Sequence, residues 1–292
     1  MIKYLHKYIF QGAILVLLSI LLTNCSSTRF IYTFAEKYIQ DEINYFLNLN
    51  EEENVLLNQE VSKMVDWHRT FMLPNYATYL NNIADKIEVG EYESDDINKL
   101  IEDGRSLIEE TIIGLTPYAS RFLIHHQMVE DIEFMEMKML TRRQKRIVEL
   151  SKPKNILYKE RLERLTSNFE RFFGNLNKSQ LLLLESHSRV TLNESRIRLH
   201  NRTLRQKAFI IFLKTKPSEV DLTSYLNKLL LQGHLITNPS YESFSEISLK
   251  KFHILLLNMI ASSSIMQREK IISKLRGYAE DFKKVSGEEK QL

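Results

Sequence analysis

Apolar residues recur along most of the chain with the spacing of an α-helix. The first and last such stretches carry them three and four residues apart, on one face each: Phe30, Ile31, Phe34, Ala35, Tyr38, Ile39, Ile43, Phe46 and Leu47, then Ile271, Ile272, Leu275, Tyr278, Ala279 and Phe282. No stretch alternates apolar and polar residues as a half-buried strand does. The pattern predicts an all-α protein, an elongated bundle of about seven to nine helices with no sheet.

Several helix starts are predicted from polar residues that cap helices. The candidate caps are Asn50, Ser94, Thr116, Thr141 and Asn177. Asn50, Thr141 and Asn177 each follow a leucine and precede Glu or Gln by three positions, which is the arrangement of a capping box. Thr116 is followed by proline, which favours the first position of a helix. Each of these residues is therefore expected to open a helix.

Prolines and glycines predict where helices are interrupted. Pro74 should kink or interrupt the second helix, because proline lacks the backbone N–H and restricts the residue before it. Pro153 is expected to open a helix that ends at Gly174. Asn177 is expected to begin a long polar helix that reaches Lys214.

The beginning of the chain is typical of a lipoprotein signal peptide. Lys3 and Lys7 precede an apolar run over residues 13–22, and Cys25, the single cysteine, follows closely. The run is too short to cross a membrane as a helix, which needs about 20 residues. We therefore expect lipidation of Cys25, although Asn24 replaces the small residue that usually precedes such a cysteine. Ser26, in place of aspartate, favours sorting to the outer membrane, facing the periplasm.

These features predict the organisation of the whole chain. Residues 1–24 form the signal peptide, and residues 25–29 form the lipidated N-terminus and a short tether. Residues 30–285 form a single all-α domain with a candidate boundary near residue 150, and residues 286–292 form a disordered tail. After cleavage no second cysteine remains, so an internal disulfide is excluded. The glycines are widely separated, which excludes the phosphate-binding loops of nucleotide enzymes.

Charge is distributed very unevenly along the sequence. Residues 25–137 carry 8 basic and 22 acidic side chains, whereas residues 138–216 carry 20 basic and 6 acidic ones. One interpretation is that the basic segment packs across the acidic one and neutralises it. The other is a basic surface for acidic protein clients or anionic lipid headgroups. The candidate residues for such a surface are Arg142, Arg143, Arg146, Arg198, Arg202 and Arg205, of which the last three share a helix face.

Two segments carry a resemblance to a known family. They are Trp67-His68-Arg69 followed by Leu73-Pro74-x-Tyr76, and Glu170-Arg-Phe-Phe-Gly174-Asn-Leu176-Asn177-x-x-Gln180. Together with Cys25, Arg29 and Tyr32 they resemble a family of bacterial lipoproteins that is known only as a domain of unknown function. The chain carries Phe172 and Phe173 where the family often has Trp, and Asn177 where it has Thr. The resemblance implies a lipid-anchored helical envelope protein and implies no reaction. The segment Leu140 to Gln144 also resembles the motif of Spy-like periplasmic chaperones, which bind unfolded clients.

Two further motifs invite a chemical interpretation. Trp67, His68 and Arg69 are adjacent on a helix, so their side chains diverge, and a structural role is favoured over a shared ligand. His125, His126 and Glu130 are candidates for a metal site, but three or four convergent ligands are needed and this segment supplies two on a face. We expect no metal, no cofactor and no catalytic residue.

The sequence as a whole predicts a non-enzymatic envelope lipoprotein. It would be anchored to the membrane through Cys25 and would bind its partner through basic helices, in a binding or chaperone-like role. Nucleic acid is not an expected partner, because of the compartment. The alternative is a metal-dependent envelope hydrolase that uses the region of His125, His126 and Glu130.

Overall fold

The computed structural model describes residues 27–90 and 93–287. Its helices are α1 (Ser27–Phe46), α2 (Glu51–Trp67), a π-helical turn (His68–Met72), α3 (Leu73–Val89), α4 (Ser94–Leu123), α5 (Val129–Leu150), α6 (Lys154–Phe173), α7 (Lys178–Val190), α8 (Glu194–Leu213), α9 (Glu219–Leu231), α10 (Gly233–Ile236), α11 (Tyr241–Ala261) and α12 (Ile265–Gly287). The described residues contain no strand, so the all-α prediction is confirmed.

The number of helices exceeds the prediction. Because α2, the π-turn and α3 are continuous, the described residues form eleven helices, ten of which have seven or more residues. Cys25 and the signal segment 1–24 lie outside the described residues, as do positions 288–292 of the expected tail. In the two described ranges, no helix is both long enough and apolar enough to span a bilayer.

Two of the predicted capping boxes are present. The Asn50 side chain accepts a hydrogen bond from the Glu53 amide at 2.9 Å, and the Asn50 amide donates to the Glu53 carboxylate at 2.8 Å. Asn177 and Gln180 repeat this exchange at the start of α7, at 2.9 and 3.0 Å. Both asparagines have extended backbone conformation, from which the side-chain oxygen reaches the amide three residues later.

The predictions for the threonine caps are wrong, because both residues lie inside helices. Thr141 donates its hydroxyl to the carbonyl one turn back at 2.9 Å, within α5. Thr116 lies within α4, which continues through Pro117. That proline leaves the Ile113 carbonyl without its helical partner, and the Thr116 hydroxyl lies 3.1 Å from this carbonyl. The same hydroxyl lies 2.7 Å from the Asn227 side chain of α9, so α4 is held to α9 at the proline.

Two other boundaries differ from the prediction. The cap position of α4 is occupied by Glu93 and makes no side-chain hydrogen bond, so Ser94 is its first residue rather than its cap. The long helix predicted from Asn177 to Lys214 is broken after Val190. At the break the buried Thr191 hydroxyl donates to a carbonyl of α7 at 2.6 Å and accepts a hydrogen bond from Arg161 of α6. These contacts fix the turn between α7 and α8.

Pro74 interrupts the regular helix as expected, but the chain does not leave the helix. The turn immediately before it, His68–Met72, is π-helical, and the Leu73 amide bonds to the His68 carbonyl. A π-turn widens the helix and so makes room for a proline ring that would otherwise strike the preceding turn.

Apolar side chains form two buried clusters. The first surrounds Ala84, Leu184 and Met259 and joins α3, α6, α7, α11 and α12. The second surrounds Leu57 and Leu213 and joins α2, α5, α8 and α9. Helix α4 contributes to both, through its first turns in one cluster and its last turns in the other. Neither cluster is confined to one side of residue 150.

Candidate anion-binding groove

The basic face of α8 lines a surface cavity of about 540 Å³. Helices α5 and α9 and the first residue of α11 complete its walls. Its polar lining consists of Arg198, Asn201, Arg202, Arg205, Gln206 and Tyr241, and its apolar lining of Met139, Phe209, Leu226, Leu229 and Leu230. None of these residues, all of which lie in the described ranges, is acidic. We call this cavity the arginine groove.

Arg198, at one end of the groove, is held by a buried cluster. It donates to the Glu194 carboxylate at 3.1 Å and to the Ser248 hydroxyl, which itself donates to Glu194 at 2.6 Å. Lys251 of α11 lies 3.2 Å from the other carboxylate oxygen. Burial by itself raises the pKa of Glu194, but the hydrogen bonds from Ser248, Lys251 and Arg198 together lower it below its usual range. Arg198 is therefore paired within the fold, with a carboxylate that it shares with Lys251.

Arg205, at the other end, is positioned by packing. Its guanidinium lies 5.9 Å from the centre of the Tyr241 ring and donates to the Leu230 carbonyl at 3.3 Å. A methyl group at Gly233 would lie 2.6 Å from the Arg205 Nε, so a glycine is required there for this arrangement. No carboxylate of the described residues pairs with Arg205, and its charge is not balanced.

Arg202 and Asn201 lie between these two arginines and have no partner. Arg202 is exposed, and no hydrogen bond or ion pair joins it to the described part of the chain. Asn201 is only 3% exposed, and its Oδ1 is buried without a hydrogen bond. An unpaired polar side chain in a buried position is costly unless a ligand or water completes it. The middle of the groove therefore offers an unpaired guanidinium, that of Arg202, beside an amide whose acceptor oxygen is unpaired.

Every residue that lines the arginine groove lies between Met139 and Tyr241. A family model described as "Family of unknown function (DUF6279)" matches residues 45–241. The chain belongs to the DUF6279 family. No curated protein and no solved structure matches it. The family assignment agrees with the resemblance to an uncharacterised family and carries no activity.

The other three candidate arginines of this DUF6279 protein do not line the arginine groove. Arg142 pairs with Glu42 at 2.7 Å and stacks on the ring of Tyr45 at 4.3 Å, which ties α5 to α1. Arg146 pairs with Glu149 in its own helix. Arg143 lines a separate cavity of about 350 Å³ between α5 and α8. The six candidates therefore do not form one surface, and Arg198, Arg202 and Arg205 alone share the arginine groove.

Contacts between the acidic and basic segments are few. Among the described residues, the ion pairs that join them are Arg142 with Glu42, and Lys214 with Glu136 at 3.5 Å. Both lie at the edges of the basic segment rather than along its length. Neutralisation between the two segments is therefore confined to those points, and it does not reach the arginine groove.

Trp67, His68 and Arg69 diverge to three different neighbours. The Trp67 ring packs against the backbone of α4, where a methyl group at Gly114 would lie 1.9 Å from it. His68 is hydrogen bonded to Tyr32 of α1, and Arg69 pairs with Asp66 at 3.2 Å. Burial raises the pKa of Tyr32 and lowers the pKa of His68. These contacts join α1, α2 and α4 at the π-turn, which is a structural role.

The histidines considered for a metal site are also separated. His126 is buried against the Phe122 ring at 4.6 Å, whereas His125 and Glu130 are exposed. Burial is the main reason that the pKa of His126 is lowered, so its ring is neutral at pH 7. Nowhere in the described ranges do three or more His, Cys, Asp or Glu side chains gather as metal ligands.

The sequence interpretation missed Asn201, Tyr241 and Gly233 as parts of the groove. The helical spacing that groups the arginines also identifies Asn201, because it lies three residues after Arg198 and four before Arg205, on the same helix face. Tyr241 and Gly233 come from other elements, and no local pattern places them beside α8.

Proposed function

We propose that this DUF6279 protein is a non-enzymatic binding protein of the bacterial cell envelope, and that its arginine groove binds anionic groups of the partner. One observation carries the proposal. Arg202 lies unpaired in a cavity whose lining includes three arginines and no acidic side chain.

The chemistry of the groove fits an anionic ligand. A guanidinium supplies several N–H donors in one plane, and hydrogen bonds from it to an anionic oxygen are about twice as strong as those between neutral groups. A cavity of one sign with apolar walls also concentrates the electrostatic potential and attracts opposite charge. Because Arg198 is paired with Glu194, the arginines of the groove without a carboxylate partner are Arg202 and Arg205.

The test is charge reversal at Arg202. The full chain, held in phosphatidylcholine nanodiscs, is titrated with three anionic probes: glycerol phosphate, dihexanoylphosphatidylglycerol below its micellar concentration, and a hexaglutamate peptide. We expect saturable binding of at least one probe, and a loss of about tenfold or more in its affinity in Arg202→Glu, since a hydrogen bond to a charged group contributes about 1.5–3 kcal/mol. Isothermal titration calorimetry measures both values.

Lys207→Glu is the matched control. Lys207 lies on α8, is exposed and does not line the groove, so its reversal changes the net charge of the helix equally. It should leave the affinity unchanged. Gly233→Ala is a second variant, because the added methyl group displaces Arg205 without changing any charge. Arg198 is unsuitable, since its replacement would also disturb Glu194 and Ser248. If no probe binds, or if Lys207→Glu weakens binding as much as Arg202→Glu, the proposal is wrong.

We further propose that the protein is anchored to the outer membrane through Cys25 and faces the periplasm. The basic start, the apolar run and the single cysteine support this, and α1 begins only two residues later, at Ser27. We expect mass spectrometry of the mature chain to find an acylated Cys25 at its N-terminus, and Cys25→Ser to retain residues 1–24. An unmodified thiol in the wild-type chain would contradict the anchor.

A further inference from the structure

The arginine groove has an apolar wall as well as a basic one. Phe209 of α8, Met139 of α5, and Leu226, Leu229 and Leu230 of α9 line the same cavity as the arginines. Leu230 is 46% exposed. A small anion would contact the arginines and leave this wall in water.

We propose that the ligand of the groove is a single anionic lipid that carries a phosphate. Its phosphate would lie at Arg202 and Arg205, and its acyl chain would lie on the wall formed by Phe209, Leu229 and Leu230. This inference rests on the proposed function, because it specifies the partner of the same groove.

The arrangement of donors favours a phosphate. Arg202 and Arg205 are three residues apart on α8 and line the same cavity, so both guanidinium groups can contact one anion. A phosphate presents several anionic oxygens around one centre, and arginine is the side chain best matched to it.

The size and composition of the cavity favour an amphiphile over a bare anion. A volume of about 540 Å³ lies in the range of sites that enclose small organic ligands. Such sites are mainly apolar with a few placed polar groups, as here. The apolar wall has no role in binding free phosphate or a chain of acidic side chains, whereas an acyl chain would cover it.

The experiment compares probes that differ in one part. Dihexanoylphosphatidylglycerol carries the phosphate and the chains, glycerol phosphate lacks the chains, and dihexanoylphosphatidylcholine has the chains with no net charge. Each is titrated into the full chain in phosphatidylcholine nanodiscs, with empty nanodiscs subtracted. We expect the phosphatidylglycerol probe to bind about tenfold or more tightly than glycerol phosphate, since burial of a few methylene groups is enough for this factor. It should also bind about tenfold or more tightly than the phosphatidylcholine probe, since a hydrogen bond to a charged group contributes about 1.5–3 kcal/mol.

A matched pair of leucines tests the apolar wall. Leu230→Asn should lower the affinity for the phosphatidylglycerol probe several-fold and leave the affinity for glycerol phosphate unchanged. Leu182→Asn changes another exposed leucine, on α7 and outside the groove, and should alter neither affinity. Both positions are at the surface, so both variants should fold.

The outcomes separate the two proposals. Glycerol phosphate and the phosphatidylglycerol probe could bind with equal affinity, and Arg202→Glu could weaken both. That result would contradict the proposal of a lipid ligand and agree with the proposal of an anion-binding groove. If hexaglutamate binds more tightly than the phosphatidylglycerol probe, and Arg202→Glu weakens that binding, the groove binds acidic protein clients and the proposal of a lipid ligand is wrong. Binding of either lipid probe that Arg202→Glu does not weaken would overturn both proposals.

Discussion

Replacing Gln180 with alanine should lower the free energy of unfolding by about 3 kcal/mol. Gln180 is fully buried and completes the capping box at the start of α7. Its amide also exchanges two hydrogen bonds with Gln267 of α12, at 3.0 and 3.1 Å. Loss of the cap costs about 1 kcal/mol, and loss of the two buried hydrogen bonds to Gln267 costs about 0.5–1.5 kcal/mol each. Urea denaturation of the full chain, followed by the fluorescence of Trp67, its single tryptophan, measures the change.

Gln144→Ala is the control for this prediction. Gln144 occupies the same place in the Leu-Thr-x-x-Gln segment of α5, but it lies within the helix and is exposed. Its replacement should change the free energy of unfolding by less than about 0.5 kcal/mol. The double variant of Gln180 and Gln267 should cost less than the sum of the two single variants, because either single change already removes both hydrogen bonds between the two amides. Equal destabilisation by Gln180→Ala and Gln144→Ala would contradict the role of the buried pair.

Replacing Glu194 with glutamine should destabilise the protein by about 2 kcal/mol at neutral pH, and by progressively less in acid. The Glu194 carboxylate is buried and accepts hydrogen bonds from Ser248, Lys251 and Arg198. A neutral amide has one acceptor oxygen and cannot satisfy all three. Removing one member of a buried charge cluster costs about 3–5 kcal/mol, and we expect less because Arg198 and Lys251 are partly exposed to water.

The pH dependence follows from the direction of the pKa shift. The pKa of Glu194 is lower in the folded protein than in the unfolded chain, where it is about 4.3. The contribution of the carboxylate to stability is therefore complete above that value and is lost as the pH falls through the folded pKa. In the wild type the Glu194 side chain is then a neutral carboxylic acid, and the glutamine side chain is neutral at every pH, so the two proteins should converge in stability.

Glu246→Gln provides the comparison on the surface. Glu246 lies on α11 and pairs with Arg105 of α4 at 2.8 Å, with both side chains about half exposed. Such pairs contribute about 0–1 kcal/mol, so this variant should show a small and nearly pH-independent effect. A constant difference between the wild type and Glu194→Gln from neutral pH to about pH 3 would show that the charge of Glu194 does not stabilise the fold.

Helix prediction succeeded where it depended on local interactions. The period of apolar residues predicted an all-α chain, and Asn50 and Asn177 were correctly assigned as caps. The predicted caps at Thr116 and Thr141 are wrong although the local sequence is similar. A threonine hydroxyl also bonds to a carbonyl of the preceding turn inside a helix. The choice between the two states depends on packing beyond the segment, such as the contact of Thr116 with Asn227.

In the candidate site, too, the sequence predicts what depends on local spacing and misses what depends on distant contacts. The sequence placed Arg198, Arg202 and Arg205 on one face, since helical spacing is a local property. It also grouped them with Arg142 and Arg146, which the structure pairs with carboxylates elsewhere. Whether an arginine is free depends on which acidic residues lie near it. Glu149 lies in the same helix as Arg146, but Glu42, the partner of Arg142, comes from a distant part of the chain.

By itself, the sequence determined the helical class, two capping boxes, the lipoprotein-like start and the basic face of α8. The tertiary structure alone decided that Ser248 of α11 joins Glu194 and Arg198 in a buried cluster, and that Arg202 and the Asn201 Oδ1 have no partner. The reason is physical. Periodicity and caps arise from contacts between residues within about four positions, whereas burial and the pairing of charges depend on which helices meet.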